Sequence, residues 1–141
     1  MIERYSRKEI RDIWKDKNKY SIWLDIELAA AEAMERLKII PRGVAKKVKS
    51  RAKINVKRIL QIEDKVKHDV IAFLTSITEK AGEESRYLHK GMTSSDVLDT
   101  CFNLQLKQSG QILLRDIEQF VNELIQNFPD FLVNYLERPM V

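Results

Sequence analysis

The sequence predicts an all-α fold, with an N-terminal helical domain over residues 1–93 and the first long helix of a helix-bundle domain over residues 94–141. Three observations lead there. Apolar residues recur at steps of three and four along almost the whole chain, the spacing of one helical face. Only 4 Gly and 3 Pro interrupt 141 residues, too few for a loop-rich or disordered chain. No segment alternates apolar and polar residues as a half-buried strand would.

The elements follow in order. From Tyr20, the residues Ile22, Ile26, Ala29, Ala30, Ala33 and Leu37 form one apolar stripe, with Asn18 as its cap and Pro41 and Gly43 closing the unit. A short basic helix follows Pro41. Asn55 is a good cap for a helix carrying Ile59, Ile62 and Val66. The pattern restarts at Lys67-His68-Asp69, with Asp69 placed to cap Val70, Phe73, Leu74 and Ile77, and Gly82 just past the last turn. Residues 83–92 read as a polar stretch and loop. The longest stripe then runs through Val97, Cys101, Leu104, Gln108, Ile112, Leu113, Ile117, Phe120, Leu124 and Phe128, a helix of about thirty residues, or roughly 45–50 Å. Gly110 within it costs about 1 kcal/mol, so packing has to hold it. So long a stripe calls for other helices to cover it, from further chain or from neighbouring subunits. With no helix stop at Arg138-Pro139-Met140-Val141, the chain reads as a fragment.

Composition narrows the function. A single cysteine, Cys101, excludes an intrachain disulfide and a multi-cysteine metal site, and its expected role is a small buried apolar residue. No apolar run is long enough to span a bilayer, and the charged start is no signal peptide; the expected setting is a reducing cytosol. The net charge of +4 is unevenly placed: between Glu35 and Glu63 there is no acid, while basic residues crowd from Arg36 to Arg58. That run suits phosphate contact on nucleic acid, but no aromatic is interleaved with it to stack bases. A solvated helical face is the favoured reading, and nucleic acid is not an expected partner.

Few residues remain to carry chemistry. Thr93 and Asp96 have the spacing of a capping box. With Ser94, Ser95 and the positive end of the long helix, they also form a ready anion site. His68 and His89, the only histidines, stand at element boundaries, where an imidazole exchanges protons or meets an anion near neutral pH. Two exposed loop histidines are the plainer alternative. No close His/Cys/carboxylate pair at i, i+3 or i+4 accompanies both histidines, so no metal site is expected. Arg4 beside Tyr5 could clamp a phosphate, or could be an ordinary surface pair.

Taken together, Met1-Ile2-Glu3-Arg4-Tyr5-Ser6, Lys67-His68-Asp69-Val70 and His89-Lys90-Gly91-Met92-Thr93-Ser94-Ser95-Asp96-Val97-Leu98-Asp99-Thr100 resemble the adenylosuccinate lyase family of the fumarase/aspartase superfamily. The resemblance covers residues 1 to about 123. It implies a fumarase/aspartase-like fold, a cytoplasmic homotetramer of purine biosynthesis, and β-elimination of fumarate from adenylosuccinate and from the succinyl-carboxamide ribotide. No metal or organic cofactor is implied. By the same resemblance, Arg4 and Tyr5 would meet the nucleotide phosphate, and Lys67, His68 and Asp69 would line the substrate, with His68 assisting proton transfer. Thr93 and Ser94 would hold a succinyl carboxylate, and His89 would orient neighbouring substrate groups. The family's principal base, a loop serine, and its principal acid, a histidine in a Gly-Arg-Thr-His-Gly-like segment, have no counterpart in these 141 residues. The fragment alone is therefore expected to be inactive. Alternatives are another lyase of the superfamily, such as argininosuccinate lyase, and a free-standing basic nucleic-acid-binding module.

Overall fold

The computed structural model describes the backbone of residues 3–136 and the side chains of residues 4–128; the expected stop-free end at Arg138-Pro139-Met140-Val141 lies outside them. The described elements are helical: a 3-10 turn at Glu3–Tyr5, then α1 (Lys8–Ile13), α2 (Asp16–Arg36), α3 (Val44–Arg51), α4 (Val56–Val66) and α5 (Asp69–Ala81), a second 3-10 turn at Glu83–Tyr87, and α6 (Ser94–Leu136). Packing divides the chain into two units, Met1–Gln105 and Leu106–Val141. α6 starts at Ser94. The division falls later because Val97, Cys101 and Gln105, one face of its first turns, are buried in the first unit.

That unit is organised around aromatic rings. Tyr20 stacks on Phe73 at 5.9 Å, and Trp23 meets both edge-on, at 5.2 and 5.5 Å. Val48 of α3, Ile59 of α4, and Val70 and Ile77 of α5 complete the core. Cys101 is buried as expected, and burial pushes its thiol pKa up.

α2 differs from its expected face. Its buried residues are Tyr20, Ile22, Trp23, Glu27, Leu28 and Ala31, whereas Ala29 is exposed and Leu37 is 70% exposed. A stripe drawn through apolar residues alone skips Glu27 and so rotates away from the true face. Asn18 is not the cap either. The helix starts two residues earlier, and the Asn18 amide donates back to the Ile13 carbonyl at 2.8 Å.

Gly43, at φ +88, precedes α3 in a backbone conformation that favours glycine. The α3 start is capped from a distance: Glu35 accepts from Gly43 N–H at 2.9 Å and Ala45 N–H at 2.7 Å. The Ala45 and Gly43 amides hold its carboxyl below the usual carboxylate range. A depressed folded pKa adds stability above the ordinary carboxylate pKa and loses it as pH falls through the folded value. Glu35→Ala should therefore cost about 1 kcal/mol or less near neutral pH, as a lost cap does. In urea titrations the difference from wild type should vanish in acid; a difference that persists there would contradict the capping role.

Asn55 caps α4 as expected, accepting from Arg58 N–H at 3.1 Å. The basic run is partly neutralised in place. Lys47 and Arg51 pair with Glu84 at 3.0 and 3.2 Å, and Arg58 grips Glu79 at 2.6 Å. Residues 83–87, expected as a polar stretch leading into a loop, form a 3-10 turn, and α6 spans 43 residues, longer than its expected thirty or so. In the second unit Leu113, Leu114, Ile117, Phe120, Leu124 and Ile125 are exposed.

Candidate active site

The α4–α5 junction is built by a left-handed residue. Lys67 closes α4 at φ +54, its N–H bonded to the Glu63 carbonyl at 2.7 Å and its Nζ paired with Asp64 at 2.7 Å. This turns the chain so that His68, not Asp69, caps α5: His68 Nδ1 accepts from Ile71 N–H at 3.4 Å. An accepting Nδ1 puts the proton of the neutral ring on Nε2. Asp69 lies one position inside the helix. Its Oδ1 accepts from Val70 N–H at 2.7 Å and stands 3.6 Å from His68 Nδ1. The His68 side chain is half exposed at the positive end of α5.

The second group is the turn before α6. His89, at φ +57, and Gly91, at φ +71, reverse the chain, and Met92 N–H reaches the His89 carbonyl at 3.4 Å. Thr93 N–H then donates to Asp96 Oδ2 at 2.8 Å, the reciprocal half of the expected capping box. Ser94 opens α6; Asp96 N–H turns back to the Thr93 carbonyl at 3.1 Å, and helix geometry leaves the Ser94 and Ser95 N–H groups without intrahelical partners. Thr93 is exposed and Ser94 half-buried, so hydroxyls and amides there are placed to meet an anion.

This turn is tied to α2 by a residue that sequence reasoning missed. Glu27 is fully buried. Its Oε2 accepts from His89 N–H at 2.6 Å, and its Oε1 lies 2.7 Å from His89 Nδ1. His89 is therefore not an exposed loop histidine; its side chain is 18% exposed. A signal for Glu27 was present: a carboxylate on the apolar face of α2, one turn after Trp23, needs a buried partner.

Arg4 and Tyr5 sit in the first 3-10 turn, with the guanidinium 4.8 Å from the ring centre and Tyr5 75% exposed. Lys67, His68 and Asp69 are successive residues of the α4–α5 junction, and His89, Thr93 and Ser94 follow one another through the turn into α6. Among the described residues no hydrogen bond or ion pair joins one group to the other.

No protein-family model matches the chain. Adenylosuccinate lyase of Staphylococcus saprophyticus is 43% identical over 131 residues, which cover 93% of this chain. The chain is a homologue of adenylosuccinate lyase. It spans about 30% of that relative's length. The fold agrees with the relationship: a crystal structure of fumarate lyase from Mesorhizobium sp. BNC1 superposes with a TM-score of 0.72 at 26% identity, covering 81% of this chain and 29% of that one. This adenylosuccinate lyase homologue is thus an all-α chain of the fumarase/aspartase superfamily.

Proposed function

We propose that the chain is part of a complete adenylosuccinate lyase and supplies the substrate-binding half of its active site. The observation that carries this reading is the 43% identity over 131 residues; the anion-ready start of α6 supports it chemically. The reaction is β-elimination. A base takes the proton beside a succinyl carboxylate, the C–N bond breaks, and an acid protonates the leaving nitrogen, releasing fumarate and AMP. The succinyl-carboxamide ribotide of purine biosynthesis is cleaved in the same way. Arg4 and Tyr5 hold the nucleotide phosphate, Lys67, His68 and Asp69 line the substrate, Thr93 and Ser94 bind a succinyl carboxylate, and His89 orients neighbouring groups. The principal acid and base lie outside these 141 residues, so this polypeptide alone turns nothing over. The exposed apolar residues of α6 suit burial against other subunits, as in the cytoplasmic homotetramer of this reading.

The pairing of Lys47, Arg51 and Arg58 with Glu84 and Glu79 argues against a nucleic-acid module. The test is Ser94→Ala and Thr93→Ala in the complete protein. A hydrogen bond to a charged group contributes about 1.5–3 kcal/mol, so each should raise KM for adenylosuccinate roughly 10- to 100-fold with the fold retained. Unchanged KM and turnover for Ser94→Ala would remove the carboxylate assignment.

A further inference from the structure

Glu27 is fully buried, yet it lies on a helix and its carboxylate reaches a turn sixty-two residues further along the chain. Both of its oxygens are used, and both by His89: the backbone N–H at 2.6 Å and the ring Nδ1 at 2.7 Å. A carboxylate only accepts hydrogen bonds, so Nδ1 must carry the proton. The neutral ring then has its lone pair on Nε2. His68 is arranged the other way round, because its Nδ1 accepts from Ile71 N–H and its proton sits on Nε2.

We infer that Glu27 is a positioning residue that holds His89 in the Nδ1–H tautomer, so that its neutral ring offers a ligand a hydrogen-bond acceptor while His68 offers a donor. The second oxygen of Glu27 does a related job. By holding the His89 amide it fixes the left-handed turn, and with it the register in which Thr93 and Ser94 follow. The two histidines are therefore not interchangeable. A donor at His68 Nε2 suits a phosphate or carboxylate oxygen. An acceptor at His89 Nε2 suits a hydroxyl or an N–H, groups that a succinylated nucleotide also carries. This assignment rests on the lyase reading only for the identity of the ligand; the tautomers stand apart from it.

The test is nitrogen-15 NMR of the imidazoles in the full chain, recorded across a pH series, with each tautomer read from the neutral form of its ring. With only two histidines in the sequence, the spectrum holds two ring systems. The expected result is opposite tautomers, Nδ1–H for His89 and Nε2–H for His68. Glu27→Gln replaces one acceptor by an amide that donates, so His89 should switch to Nε2–H while His68 stays unchanged. An Nε2–H tautomer for His89 in the wild type would overturn the inference, whether or not the variant folds. In the complete protein, a folded Glu27→Gln should raise KM for adenylosuccinate at least about tenfold, the effect of one lost polar contact. A switched tautomer with unchanged KM and turnover would overturn the ligand role of His89 and leave the tautomer assignment standing.

Discussion

His68→Ala in the complete protein should lower turnover by a factor of about 10²–10⁴, the usual contribution of a positioned proton-transfer group. His68 also caps α5 through Nδ1, so the alanine variant loses a cap worth about 1 kcal/mol as well. His68→Asn separates the two roles, because asparagine is a good capping acceptor with no proton to exchange near neutral pH. It should keep the thermal midpoint close to wild type and still lose turnover. Recovery of turnover in His68→Asn would show that the imidazole serves only as a cap.

Trp23→Ala should destabilise the chain by about 3–5 kcal/mol, the range for deleting a large buried aromatic. Trp23 is 1% exposed and packs edge-on against both Tyr20 and Phe73, so few neighbours are free to collapse into the space. Against a usual total of about 5–15 kcal/mol, such a loss takes much of the stability. A urea titration should show the midpoint fall at constant slope. A loss below about 1 kcal/mol would mean that the aromatic cluster is not the centre of the first unit.

Helical periodicity made most of this fold legible. Ile59 and Ile62 on α4, and Val70, Phe73 and Ile77 on α5, are buried where their spacing puts them, and Asn55 opens α4 and Gly82 closes α5 as their residue types suggest. The errors on α2 arose where a polar side chain took a partner outside the helix pattern, sixty-two residues away for Glu27 and five for Asn18. Glu27 lies in an apolar face because His89 meets it there, and the Asn18 amide went to Ile13 in place of a helix start. At the α4–α5 junction, the left-handed Lys67 shifted the cap by one residue, from Asp69 to His68. Thr93, Ser94 and Asp96 could be read as a capped helix start from spacing alone. That this start meets a succinyl carboxylate came only from resemblance, because capping and anion binding need the same residues.

Product analysis of the complete protein with adenylosuccinate separates lyase function from its alternatives. Fumarate and AMP should form in equal amounts, without added metal or cofactor, and argininosuccinate should give neither. Fumarate released from argininosuccinate but not from adenylosuccinate would contradict this, and would make the chain part of a different lyase.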